Sequence, residues 1–384
     1  MQRVEPTISL GATATRLQPR KIPLRKAVIY CLFLAVIFRI GLIGVVSLLG
    51  LIPQLDFFTN ILRSINELNY LVAIPVGVAV YIWATSGEQE SLLIETISNL
   101  FRNRSAIVGT IIITILVLMA DFAPIIAPHD PIQSMIGLPG EVGKLPARVP
   151  CITLFGCTAP QHILGLDLNA RDLFSRVVYG SRTSLTIGIA SVSFATIIGT
   201  TLGLFAGYLG GWADNIIMRF MDVFLAFPSL LLAITIVTIK GPGLENALLA
   251  IAIVSIPVYA RLSRASVLTV KELEFVTAVR ALGAPPMRIV FRQILPNILT
   301  PLIVQGTLDV GGAVLGAAGL SFLGLGAQPP TPEWGQMLSE ARQYVFTAPH
   351  LVFFPGFAIM LTVLGFNLLG DGLRDALDPR LNRS

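Results

Sequence analysis

Long apolar segments are the feature of this chain that most restricts its fold. Eight can be recognised, at about residues 27–52, 68–85, 106–127, 183–208, 218–240, 244–262, 297–321 and 350–370. A helix needs about 20 apolar residues to cross a bilayer, because each residue adds about 1.5 Å to its length. Only 13% of the residues are charged and 54% are hydrophobic, whereas a soluble domain carries about 25% charged residues. The sequence therefore predicts an all-α membrane protein.

The basic residues outside these segments predict the orientation. Residues 1–26 contain six Lys/Arg residues and one acidic residue, and residues 261–296 contain six and two. Loops rich in lysine and arginine stay on the cytoplasmic side of a membrane. With eight spans, both termini and residues 261–296 are expected to be cytoplasmic, and the long loop 128–182 is expected outside.

Residues 1–90 contain the first two apolar segments. The first is too long for the core of a signal peptide and has no small-residue cleavage site after it, so we interpret it as a retained span. The second is short and contains Pro75 and Gly77, so the two segments form either two spans or a re-entrant hairpin. Residues 91–104 then show the periodicity of an amphipathic helix, lying flat in the cytoplasmic interface or packed on protein.

Two runs of glycine predict close helix packing. Gly199, Gly203 and Gly207 recur at every fourth position, and Gly312 and Gly316 repeat this spacing. Small residues at positions i and i+4 let two helix backbones approach closely inside a membrane. We predict helix–helix contacts at both runs, and lining of a permeation pathway is the alternative.

Ionisable residues are rare within the apolar segments. Arg39 interrupts the first segment and Asp309 lies in the seventh. An ionisable group at membrane depth is costly, so it usually faces a cavity or a partner. Asp309 is compatible with three roles: a proton relay in a secondary transporter, a residue of a substrate cavity, or a residue of a subunit interface.

Residues 271–296 are too short and too charged to cross a membrane. The sequence KELEFVTAVRAL places four apolar residues on one helical face, namely Phe275, Val276, Val279 and Leu282. Gly283 permits a positive φ, Pro285 and Pro286 separate two helices, and Pro296 is expected to end the second. The pattern predicts a helix–turn–helix across the cytoplasmic end of the bundle, with its apolar face against the membrane domain or a partner. The alternative is a plain loop whose arginines only set the topology.

Part of this stretch resembles a known motif. TAVRALGAPPMRIVFRQILP resembles the coupling loop of ABC-importer permeases, in which Glu-Ala-Ala is followed by a glycine and by Ile-x-Leu-Pro. Gly283, Leu295 and Pro296 match the motif. The residues that differ from the usual pattern are Thr277, Val279 and Gln293.

Further segments in the same order extend the resemblance over about residues 91–384. HILGLDLNARDLFSRVVYGSRTSL, LSFLGLG and NLLGDGLRDALDPRL resemble the second (C-type) permease of dipeptide, oligopeptide and nickel importers. Leu166 and Ala170 replace a threonine and a glycine of the family signature, and Ala317 stands where such permeases commonly have an acidic residue.

This resemblance implies a fold and a division of the chain. The fold would be a type I ABC-importer transmembrane domain with six family spans, preceded here by a two-helix N-terminal extension, which makes about eight spans. The extension would occupy 1–90, and the interfacial helix, first family span and extracytoplasmic loop would occupy 91–182. The permease core would occupy 183–384, with cytoplasmic coupling helices at 271–296.

The resemblance also implies partners. A permease of this kind works in a bacterial or archaeal plasma (inner) membrane with a homologous B-type permease, two ATPase subunits and an extracytoplasmic solute-binding protein. ATP and Mg would bind to the ATPase subunits, and this chain would bind no cofactor, metal or nucleic acid. It would be a transport subunit for peptides or related solutes. The residues expected to contact an ATPase are Glu274, Thr277, Ala278, Arg280, Gly283, Arg288 and Pro296.

Two other classes of protein are weaker interpretations. The sequence has no G-x-x-x-x-G-K-[ST] phosphate-binding loop, so this chain is not itself the ATPase. A secondary transporter or channel with Asp309 as its coupling group would leave residues 271–296 unexplained. A membrane enzyme would need a nucleophile–base pair or a metal cluster, and the histidines, His129, His162 and His350, have no metal-ligand spacing.

Cys151 and Cys157 lie in one polar loop, PCITLFGCTAP. They can form a disulfide if this loop faces an oxidising compartment, or they can be free thiols. If they are bridged, mass spectrometry of non-reduced peptides is expected to find the two cysteines linked. A quantitative yield of singly alkylated cysteines would contradict the disulfide.

Overall fold

The computed structural model describes residues 100–136, 147, 149 and 162–377. All the extended regular elements in this part of the chain are helices, which confirms the all-α class. They are α1 (Arg104–Asp121), α2 (Ala123–Ile126), α3 (Leu173–Leu209), α4 (Gly211–Leu225), α5 (Ser229–Lys240), α6 (Leu244–Val270), α7 (Glu274–Ala281), α8 (Pro286–Ile289), α9 (Leu295–Phe322), α10 (Trp334–Ala341) and α11 (His350–Leu377). The extension 1–90, residues 91–99 of the expected interfacial helix, Cys151 and Cys157 lie outside the described residues.

Five of the helices are long and apolar enough to cross a membrane. They are α1, α3, α6, the continuous helix Pro286–Phe322 that ends as α9, and α11. Several are longer than the apolar segments suggested. α3 begins at Leu173 and α6 continues to Val270. Both helices therefore include turns with charged residues, and an apolar segment defined by hydropathy does not include such turns.

The apolar segment 218–240 forms parts of two helices rather than one straight helix. The two helices α4 and α5 meet at an angle of 90°. Pro228 is the residue before α5. It lacks the amide hydrogen that a continuous helix would use, and it disfavours helical backbone at Phe227.

The direction of the helices follows from their contacts. Along α3, Gly199, Gly203 and Gly207 face successively later residues of α6, from Ile256 to Val267. The two helices are therefore parallel, so the α4–α5 pair returns from one end of the bundle to the other.

We call the bundle end that contains α7 and α8 the α7 end, and the opposite end, which contains α10, the α10 end. The first and last described helices, α1 and α11, are antiparallel, because Gly109 packs near Leu369 and Gly372 packs against Ala106. A hydrogen bond from Asn103 Nδ2 to Asp375 Oδ2 (2.8 Å) joins the start of α1 to the last turns of α11. Both lie at the α7 end.

The two glycine runs have different environments. A Cβ atom on Gly203 would overlap the carbonyl oxygen of Ala260, and one on Gly199 would lie 2.6 Å from the carbonyl oxygen of Ile256. Close packing at the first run is thus confirmed. At Gly312 and Gly316, no described heavy atom lies within 4 Å of a Cβ placed at either position, so the second run makes no close contact within this part of the chain and its packing stays a prediction.

Buried charges hold the α10 end together. Asp167 accepts a hydrogen bond from Arg171 Nε (2.6 Å), and Arg171 donates to Glu340 of α10 through Nη2 (3.0 Å). Asp172 is the N-cap of α3. Burial tends to raise the pKa of the Asp172 carboxyl, but hydrogen bonds from His162 and Ser175 outweigh it and hold that pKa below its usual value.

Candidate functional site

The predicted turn after α7 has a defined geometry. The amide of Gly283 donates to the carbonyl of Arg280 (3.0 Å), and the amide of Ala284 donates to the carbonyl of Val279 (3.3 Å). These two bonds form a Schellman motif, which needs a residue with positive φ just after the helix. Gly283 has φ +79°. Open space surrounds this glycine, so its backbone conformation is what favours glycine there.

The second predicted helix does not end at Pro296, so this part of the prediction is wrong. α8 passes through a π-helical turn, Val290–Ile294, into α9. Pro296 lies in the first turn of α9, directly after the π-helical turn, and the one hydrogen bond that its missing amide hydrogen cannot make does not interrupt the helix. The result is one continuous helix, Pro286–Phe322. α8 is therefore part of a helix that is long and apolar enough to cross a membrane.

The apolar face predicted for α7 is divided between the core and the outside. Val276 is fully buried and Val279 packs against the core. Leu282 is 87% exposed and Phe275 is 40% exposed. Consecutive residues of a helix point about 100° apart, so one side of α7 fixes it to the bundle and another side stays open.

We call the exposed face of residues 273–296 the α7 surface. All seven residues expected to contact an ATPase are exposed, namely Glu274, Thr277, Ala278, Arg280, Gly283, Arg288 and Pro296. The structure adds exposed apolar residues that the sequence analysis did not single out, namely Leu273, Met287 and Phe291. Only Phe291 carried a signal in the sequence, because it lies between the buried residues Val290 and Ile294.

The charges of the α7 surface have few partners within the chain. Arg280, Arg288 and Arg292 form no ion pair with the described residues. Glu274 lies in the first turn of α7 and Arg280 in the last, which complements the helix dipole. An exposed surface that combines apolar side chains with unpaired arginines is typical of a protein interface. This surface can bind a partner that carries acidic residues.

Asp309 lies on the same continuous helix as Arg288. Tyr259 Oη of α6 donates to Asp309 Oδ2 (2.7 Å), and Gln305 Nε2 donates to Oδ1 (3.0 Å). Tyr259 is buried and Asp309 is half-buried. Asp309 follows Arg288 by 21 positions, which correspond to about 30 Å of helix. Asp309 therefore lies far from the α7 surface but is rigidly linked to it.

Two family descriptions match this sequence. Residues 199–383 match the family described as "Binding-protein-dependent transport system inner membrane component". Residues 91–138 match the family described as "N-terminal TM domain of oligopeptide transport permease C".

Individual proteins are also similar to this chain. The dipeptide transport system permease protein DppC of Alkalihalophilus pseudofirmus is 52% identical over 287 residues, which are 75% of this chain and 90% of that protein. The glutathione transport system permease protein GsiD of Pectobacterium atrosepticum is 55% identical over 220 residues, 57% of this chain and 73% of that protein. Among solved structures, a chain of the inward facing MetNI methionine ABC transporter has a TM-score of 0.45 and 20% identity, over 54% of this chain and 98% of that chain.

Proposed function

We propose a specific role for this chain from the premise that it belongs to the family of binding-protein-dependent transport system inner membrane components. Membership makes it a permease subunit of an ABC importer rather than an enzyme. Our proposal is that it forms half of the pathway for short peptides and couples that pathway to an ATPase through the α7 surface. The observation that carries this coupling role is the continuous helix from α8 into α9.

Coupling requires a contact that differs between two global states. The α7 surface suits this role, since Val276 and Ile289 anchor it to the bundle while its arginines face outward. When the ATPase subunits close, they would move α7 and α8 together. Because α8 continues into α9, the movement would tilt or shift a membrane span, as in a rigid-body switch between inward-open and outward-open states.

The proposed topology has six spans in the family portion. They are α1, α3, the α4–α5 pair, α6, α9 and α11, with α4 and α5 together as one broken span. The extension would add two, for about eight. Residues 261–296 and both termini would be cytoplasmic by the distribution of lysine and arginine, which would make the α7 end the cytoplasmic end.

The remaining partners would meet other surfaces. A homologous B-type permease would complete the pathway, two ATPase subunits would bind ATP and Mg, and a solute-binding protein would approach the α10 end. Gly312 and Gly316 face away from the described core, which suits a contact with the second permease or the pathway between them. Asp309 is proposed to lie on that shared pathway or interface.

The proposed cargo is a short peptide. The similar proteins are named for dipeptides and for glutathione, a peptide. This support comes from the relatives alone, because the pathway is shared with a second permease and a separate protein delivers the solute.

The first experiment tests the assembly. The full chain is tagged, purified natively in nanodiscs, and its stoichiometric partners are identified by mass spectrometry. We expect a second permease, ATPase subunits and a solute-binding protein, and peptide uptake that stops without ATP. Recovery of the chain alone, with uptake that continues without ATP and disappears in Asp309→Asn, would contradict the proposal in favour of a secondary transporter.

A further inference from the structure

Two histidines and an aspartate meet at the α10 end, away from the α7 surface. His129 follows α2, His162 lies in the loop before α3, and Asp172 caps α3. The imidazole rings have centroids 4.9 Å apart. His162 Nδ1 lies 2.7 Å from Asp172 Oδ1, and His129 Nδ1 lies 3.9 Å from Asp172 Oδ2. One ligand atom from each residue thus lies within 4.8 Å of the other two.

Hydrogen bonds explain the position of Asp172 but not the position of the His129 ring. The Asp172 carboxylate accepts hydrogen bonds from the amide (2.8 Å) and hydroxyl (2.6 Å) of Ser175, which explains its role as a helix cap. His129 Nδ1 is buried but has no hydrogen-bond partner within the described part of the chain. A buried nitrogen without a partner is energetically unfavourable, and this nitrogen lies beside a carboxylate.

We propose that His129, His162 and Asp172 bind a divalent transition-metal ion such as Zn²⁺. Imidazole nitrogens and carboxylate oxygens bind Zn²⁺ at about 2.0–2.2 Å, so ligand atoms in a tetrahedral site are about 3.4 Å apart. With one oxygen from Asp172, the three ligand atoms lie within 4.8 Å of one another, so the wider separations would shorten. The 2.7 Å separation between His162 Nδ1 and Asp172 Oδ1 would lengthen, because the ion replaces the proton between these two atoms. Three protein ligands leave a fourth position for water.

The surroundings favour an ordered site that is open on the side of His129. Ser175 orients the carboxylate, as hydrogen bonds to a ligand do in metal sites. The side chains of His162 and Asp172 are buried, whereas that of His129 is 27% exposed. The ion would therefore enter past His129. Once bound, it would join the segment after α2 to the start of α3, which the chain separates by 43 positions from His129 to Asp172.

The test uses the full chain in nanodiscs, stripped with a chelator. Its cysteines are alkylated first, because thiolates also bind Zn²⁺. We expect wild type to retain about one Zn²⁺ per chain after desalting, and Co²⁺ to give the absorption spectrum of a nitrogen–oxygen site. His129→Ala is expected to weaken binding about tenfold or more, because even the loss of a group that only supports a metal ligand costs about 10–100-fold. His350→Gln is the matched control, because this third histidine belongs to α11 and lies outside the cluster.

A second measurement separates metal binding from misfolding. Zn²⁺ should raise the thermal midpoint of wild type and His350→Gln, since a ligand that binds the folded state stabilises it. It should not raise that of His129→Ala or of the larger variant His129→Gln. The proposal is overturned if wild type retains no more Zn²⁺ than His129→Ala, or if His350→Gln loses the ion equally.

Discussion

Replacing Arg280 with glutamate is expected to leave the importer assembled but to reduce solute-stimulated ATP hydrolysis about tenfold or more. Arg280 is exposed in the last turn of α7 and has no ion-pair partner within the described residues. An acidic group on a partner would therefore supply its counter-charge, and the substitution would place like charges together, which is strongly unfavourable at an interface. The measurement is ATPase activity of the complex in nanodiscs, with and without solute-loaded binding protein.

A control and a companion variant make this experiment specific. Arg374 is an exposed arginine in the last turn of α11, outside the α7 surface and away from the α10 end, so Arg374→Glu should retain the stimulation. Gly283→Pro should lose it as Arg280→Glu does, because proline fixes φ near −65° and removes the amide that bonds to the carbonyl of Arg280. If Arg280→Glu were stimulated normally, the α7 surface would not be the coupling site.

The second large effect is expected at Gly203, where alanine should destabilise the chain itself. A Cβ atom there would overlap the carbonyl oxygen of Ala260 and lie 2.7 Å from the Cβ of Ser263. Alanine improves helix propensity by about 1 kcal/mol, but overpacking costs about 1–3 kcal/mol and sometimes more. Overpacking should prevail here, because the obstacle is a backbone atom that cannot rotate away. The thermal midpoint of the full chain in nanodiscs should fall by several degrees.

Gly312→Ala provides the matched comparison for Gly203→Ala. Both glycines lie within long helices, but no described heavy atom lies within 4 Å of a Cβ at Gly312. The thermal midpoint of Gly312→Ala should therefore stay the same or rise slightly. An equal loss of stability in both variants would mean that close approach of α3 and α6 is not the cause.

Some features of this protein depend on short-range properties and were predictable. The length and hydropathy of α1, α3, α6, α9 and α11 decide the all-α membrane class, because the bilayer demands helices of that length. The end of α7 was also predictable, since a glycine followed by two prolines stops a helix and restarts it. Residues 271–296 and the similar segments around them identified the family.

Other features depend on which face of each helix contacts a neighbouring helix and which face does not. Lipid and protein interiors are both apolar, so hydropathy does not distinguish a face that touches lipid from a face that touches another helix. For this reason the same four-residue glycine spacing describes Gly203, which packs against Ala260, and Gly312, which does not pack in this chain. The division of α7 between buried Val276 and exposed Leu282 has the same origin.

The sequence by itself determined the class of the protein, its family and the position of the turn after α7, because periodicity, hydropathy and proline or glycine chemistry act within a few residues. Only the tertiary structure decided that α8 continues into α9 and that His129 lies beside His162. The first depends on the π-helical turn Val290–Ile294, after which the helix continues through Pro296 without a break. The second depends on chain folding that brings together residues 33 positions apart, and no local pattern specifies such a contact.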